Sequence, residues 1–182
     1  SCASGFWMTK LPYMGQLDFF HVDRRPPASR RRMMRFYKEC VRRQLYLNGR
    51  GLIHLSKNPT WSGRVETLLE VFPDARFVVL YRNPYETIPS LLKLLQVGWK
   101  MQGNLSAERI HESTRVMTDL SYETYLYPRE VLQRHPETPC ATIDYRRLTT
   151  DPKGAIEAAY AALGLDMTEA YLAKGTFTGA RF

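Results

Sequence analysis

Apolar residues recur along this chain in two periods. Met34, Tyr37, Val41 and Leu45 stand at helical spacing, so a helix is expected from about Arg30 to Leu47, capped by Ser29 and stopped at Asn48-Gly49. Gly51-Leu52-Ile53-His54-Leu55 reads as a short buried strand, and Lys57-Asn58-Pro59 as a turn. A helix is expected from about Trp61 to Val71, with Val65, Leu68, Leu69 and Phe72 on one face, ended by Pro73-Asp74. Arg76 to Tyr81 is nearly continuous in apolar residues, the pattern of a strand covered on both faces. Pro84 suits the first position of a helix reaching about Gln96, which Pro89 should kink. Ser106 caps a long helix with Ile110, Met117 and Leu120 inward and Pro128 near its end or interrupting it. Cys140-Ala141-Thr142-Ile143-Asp144 is a third short strand, and Asp151-Pro152 opens a last helix closed by Gly164. Strands alternating with helices predict an α/β fold on a parallel sheet.

At 182 residues the chain has the length of one domain, and residues 1–182 are read as one. Hydrophobic residues at 44% and charged ones at 24% exclude a disordered chain, and no apolar run is long enough to span a bilayer. Cys2, Cys40 and Cys140 form no CxxC or zinc spacing, and their odd number argues against a disulfide framework. That usage fits a reducing compartment such as the cytoplasm, although the lumenal domain of a Golgi enzyme would read the same in this stretch. The net charge of +8 favours anionic ligands. Much of it lies in Arg24-Arg25 and Arg30-Arg31-Arg32-Met33-Met34-Arg35, which reads as the solvated face of a helix, or as an attractor for a polyanion. No RNA-binding aromatic signature or zinc finger supports nucleic-acid binding.

The richest segment is Phe72-Pro73-Asp74-Ala75-Arg76-Phe77, an apolar strand to Tyr81, Arg82-Asn83-Pro84, and Ser90 eight residues after the arginine. A guanidinium at the C-terminal end of a strand is well placed to hold a phosphate, because ligands of open α/β sheets bind at that edge and a planar fork matches an oxyanion. An ion pair of Arg82 with Glu86 or Asp144 is the structural alternative.

This segment resembles the 3′-phosphate-binding segment of sulfotransferases that use PAPS (3′-phosphoadenosine 5′-phosphosulfate). The resemblance implies a P-loop-NTPase-like three-layer fold with PAPS as co-substrate, PAP (adenosine 3′,5′-bisphosphate) as product and no metal. By position it assigns Arg82 and Ser90 to the 3′-phosphate. The Lys-Asn-Pro turn is similar to the family's lysine segment, which makes Lys57 the cation beside the transferred sulfuryl group. Ile143-Asp144-Tyr145-Arg146-Arg147-Leu148, then Asp151-Pro152 and Leu163-Gly164-Leu165, resembles a second family pattern. It places Tyr145 at the adenine, although Arg146-Arg147 stands where the family has Glu-Asp. Lys174-Gly175 and the residues after it match the family's closing loop poorly.

The resemblance is strongest over residues 51–165. Residues 1–30 hold no match to the glycine-rich loop that cradles the 5′-phosphosulfate, so a domain without its first βα unit is expected. No general base is assigned. His54 has the look of a core histidine, and His21, Asp18, Asp23 and Glu39 have no motif behind them. The expected function is transfer of a sulfuryl group to a hydroxyl or amine of a small-molecule, lipid or glycan acceptor. The alternative is a non-catalytic module of the same fold that binds a nucleotide or an anionic glycan. A kinase is disfavoured by the absence of Gly-x-x-x-x-Gly-Lys-Ser/Thr.

Overall fold

The structure is a computed structural model, and it describes residues 20–49, 51–101, 106–169 and 171. Helix α1 spans Pro27–Asn48, α2 Val65–Val71, strand β1 Phe77–Tyr81, α3 Pro84–Met101 and α4 Ala107–Arg134. Strand β2 spans Cys140–Asp144, followed by α5 at Tyr145–Thr150 and α6 at Pro152–Ala162. Short 3₁₀ turns cover Val22–Arg24 and Pro59–Arg64. β1 and β2 pair in parallel, joined by a crossover that contains α3 and α4. The α/β class with a parallel sheet is therefore met.

Several boundaries differ from the sequence reading, each for a local reason. Residues 52–56 form no helix and join no sheet among the described residues. Leu52 and Leu55 are 57% and 90% exposed there, so apolar character alone did not make a strand. A strand needs a ladder partner, and here none is described. β1 is not covered on both faces, because Val78 and Leu80 are exposed. α1 begins at Pro27 rather than after Ser29, since Pro26 is extended before a proline and Pro27 has the φ of a first turn. The helix expected from Trp61 starts as a 3₁₀ turn and becomes α-helical at Val65. α3 continues through Pro89 and beyond Gln96 to Met101, and α4 runs unbroken through Pro128.

Other signals hold. Gly49 ends α1 at φ 122°, and Gly164 follows α6 at φ 60°, both in the region open to glycine. Ser106 accepts from the Arg109 N–H at 3.3 Å and caps α4. Asp151 accepts from the Gly154 N–H at 3.0 Å and caps α6.

Among the described residues, two clusters of buried apolar side chains position the elements around the sheet. Leu95 and Trp99 of α3 pack with Met117 of α4. Ala141 and Ile143 of β2 pack with Ala155, Ala159 and Leu163, where the two alanines four residues apart bring α6 close to the strand. A polar anchor ties α2 to α4. The Asp23 side chain, only 4% exposed, accepts from the Glu66 and Thr67 N–H groups at 3.0 and 2.8 Å, from the Thr67 hydroxyl, and from the Tyr127 hydroxyl at 2.9 Å. It thus satisfies the open N-terminus of α2 from a distant part of the chain. Burial and that hydrogen bond push the Tyr127 phenol up, so it stays a donor. The basic run is divided. Arg30 is largely buried against Glu70, at 2.7 Å, while Arg31, Arg32 and Arg35 form a solvated face.

Two predictions follow from these anchors. Asp23→Ala removes the acceptor of four donors and should cost about 2–4 kcal/mol in urea unfolding, and a loss under about 1 kcal/mol would refute the anchor. The second concerns Glu66, which bonds Arg134 at 2.7 Å and His135 at 2.9 Å. Burial pushes the Glu66 carboxyl up, but those two hydrogen bonds outweigh it and hold it below its ordinary value. The bonds to Glu66 and then Glu137 raise His135. A raised histidine stabilises below its unfolded pKa and loses that contribution as pH rises through its folded one; a lowered carboxylate loses its contribution as pH falls. The bridge is therefore strongest between the carboxylate and imidazole ranges, at about pH 5–6.5. The thermal midpoint of His135→Gln should approach that of the unaltered protein as pH rises to 8; a constant gap would refute this.

Candidate functional site

The register of the two strands sets the site. Tyr81 is paired with Asp144, the last residue of each strand, so the chain leaves both strands side by side. The next residues are Arg82 and Tyr145. Each exit is turned into a helix by a short polar side chain. Asn83 accepts from the Tyr85 N–H at 3.0 Å, with Pro84 as the first residue of α3. Asp144 accepts from the Arg146 N–H at 2.7 Å and caps α5. Beneath them Tyr81 stacks with Tyr125 of α4 at 6.1 Å, and burial pushes its phenol up.

The result is a cleft of about 240 Å³ lined by Arg82, Asn83, Glu86, Asp144, Tyr145 and Arg146. The Arg82 guanidinium lies over the Tyr145 ring, 4.6 Å from its centroid. Its Nε reaches the Glu86 carboxylate at 3.4 Å, one helical turn on. The other oxygen of Glu86 stands 4.0 Å from the Arg146 guanidinium. These side chains are 45% to 78% exposed, so the ion pairs are weak, each worth less than about 1 kcal/mol. Arg82 is oriented without being consumed. A phosphate, with more charge and more acceptor atoms than a carboxylate, can compete for it.

Of the four residues singled out in the sequence, the structure brings two together. Arg82 and Tyr145 share the cleft and touch. Ser90 is exposed on α3, two turns beyond Pro84, and does not line it. Lys57 is exposed in the turn before Pro59, takes no ion pair among the described residues, and does not line it either. The partner of Arg82 is Glu86 rather than Asp144, whose carboxylate is committed to the α5 cap. The sequence reading did not assign Arg146 to the site, although the reversal of charge beside Tyr145 was the available signal. Arg147 turns away and donates to the Gly154 carbonyl at 3.3 Å.

The residues weighed as bases divide in the same way. Asp23 is fully engaged in the α2 anchor, Glu39 pairs with Arg42, and His21 bonds Glu123. His54 is half-buried outside any strand. Asp18, residues 1–5, Cys2 and the Lys174-Gly175 segment lie outside the described residues, while Cys40 and Cys140 are free thiols. Among the described residues no group of three or more His, Cys, Asp or Glu is arranged to hold a metal ion, and no helix is long and apolar enough to cross a membrane.

Comparison with known proteins shows the family of the chain. The description of the sulfotransferase family matches residues 10–169. The chain is 32% identical over 129 residues to the omega-hydroxy-beta-dihydromenaquinone-9 sulfotransferase Stf3 of Mycobacterium bovis, and to the protein of that name from Mycobacterium tuberculosis. The matched stretch is 71% of this chain and 33% of each relative, so the chain spans about a third of the length of the curated relatives it matches. No solved structure matches it at a significant level.

Because the Arg82 contacts are exposed, Arg82→Ala should lower unfolding stability by less than about 1 kcal/mol. A urea series showing a loss above about 2 kcal/mol would make the arginine a structural residue.

Proposed function

The chain belongs to the sulfotransferase family, and from that premise we propose that it binds PAPS at the paired strand exits and serves the transfer of its sulfuryl group to an acceptor hydroxyl or amine. The observation that carries this reading is the contact of Arg82 with Tyr145 in one cleft at the C-terminal ends of two parallel strands. In this reading Arg82 holds the 3′-phosphate, and the Tyr145 ring keeps the guanidinium in place beside the adenine. Ser90, exposed on α3 beyond the turn that holds Arg82, is assigned to the same phosphate. At about 240 Å³ the cleft is smaller than the roughly 300–1,000 Å³ of sites that enclose a whole small ligand. It suits one end of the nucleotide.

The reaction follows from the donor's chemistry. The acceptor heteroatom attacks sulfur, the bond from sulfur to the phosphate oxygen breaks, and PAP leaves with the electron pair. The acceptor's proton passes to a general base, for which no residue is assigned. Lys57 is assigned the charge developing on the transferred group; its ammonium is exposed and unpaired among the described residues, which leaves it available for that work. For the acceptor we favour a lipid alcohol. The name of the relatives states a hydroxylated menaquinone as their substrate. In this chain Leu94, Val97 and Met101 leave one apolar face of α3 exposed, in keeping with a lipid.

Calorimetric titration with PAP tests the reading, because it needs the nucleotide edge and no acceptor. The protein should bind PAP, and Arg82→Ala should weaken binding by about tenfold or more. Absence of binding, or equal binding by Arg82→Ala, would refute the assignment. Binding without turnover of radiolabelled PAPS would favour a nucleotide-binding module over an enzyme.

A further inference from the structure

Arg82 accounts for one cation of the cleft and leaves Arg146 without a role. Both arginines converge on one carboxylate. Glu86 offers Oε2 to Arg82 at 3.4 Å and Oε1 to Arg146 at 4.0 Å, so a single anionic group stands between two guanidinium groups on adjacent strand exits. The other carboxylate of the cleft, Asp144, is fixed by capping the Arg146 N–H. That bond anchors the backbone from which the Arg146 side chain reaches toward Glu86.

We propose that Arg146 is a second nucleotide-binding cation and that Glu86 is a stand-in anion, which the ligand's phosphate displaces. The inference rests on the reading of Arg82 as a phosphate ligand. Glu86 holds the two arginines in convergence while the cleft is empty of nucleotide. A phosphate dianion has three free oxygens and more charge than a carboxylate, so it can engage both forks at once. The contacts it replaces are long and solvent-exposed, and they oppose it only slightly. Glu86 rides on α3 and can swing outward, one turn above Arg82, without disturbing β1 or β2. The geometry also separates the two neighbouring arginines: Arg146 faces the cleft, whereas Arg147 is bonded to the Gly154 carbonyl.

The test is PAP titration of the full chain at low ionic strength. Glu86, Arg146 and Arg147 are all exposed, so their variants keep the fold. Glu86→Gln should bind PAP about threefold tighter or better, since the competing charge is gone. Arg146→Ala should bind about tenfold more weakly. Arg147→Ala, the same change of charge one residue away, should stay within about twofold of the unaltered protein. If Arg82→Ala loses PAP while Glu86→Gln and Arg146→Ala bind normally, the proposal fails and the reading of Arg82 stands. Equal losses from Arg146→Ala and Arg147→Ala would reduce the effect to a diffuse positive field and would also overturn it. A protein that binds no PAP at all removes both.

Discussion

The parallel pairing of β1 with β2 is the constraint on which the rest depends. Its register ends both strands together, at Tyr81 and Asp144, and Arg82, Glu86, Tyr145 and Arg146 stand in the turn or helix just beyond. Strand side chains alternate between faces, so a slip of one residue would exchange the faces at that edge. Arg82 would then no longer leave the sheet beside Tyr145. The hydrogen-bond ladder therefore does for this site what a set of direct contacts does elsewhere: it fixes where two otherwise exposed side chains begin.

The strand exits and the N-terminus of α2 are held by different means. At the strand exits, Asn83 and Asp144 each spend an oxygen on a backbone N–H, and the sharp turns that result free the side chains of Arg82, Tyr145 and Arg146 to face the cleft. Around α2, buried Asp23 gathers donors from two helices and leaves nothing for solvent. One carboxylate is consumed by folding. The other, Glu86, is loosely held and exposed. That contrast in burial, more than residue type, separates the scaffold from the part of the molecule able to exchange partners.

The site was legible where a local rule carried it. Arg82 followed an unmistakable strand, Pro84 marked the helix start, and the motif spanning Tyr145 to Leu165 located the second exit. Capping residues Ser106 and Asp151 were readable for the same reason, since each acts within three residues of itself. What escaped was anything that depends on a partner distant in sequence. Residues 52–56 carry strand-like composition but gain no ladder among the described residues. Asp23 looked like an unassigned carboxylate until Tyr127, 104 residues away, was seen to bond it. The pairing of Glu86 with Arg146 crosses from α3 to α5 and has no sequence spacing that announces it. The chain belongs to the sulfotransferase family, and it spans about a third of the length of the two curated relatives it matches.

The most direct measurement of the central claim is a crystal structure of the chain with PAP. The account predicts phosphate density within hydrogen-bonding reach of the Arg82 guanidinium, over the Tyr145 ring, at the paired ends of β1 and β2. PAP bound with its phosphates away from both strand ends, and Arg82 still closed on Glu86, would contradict it.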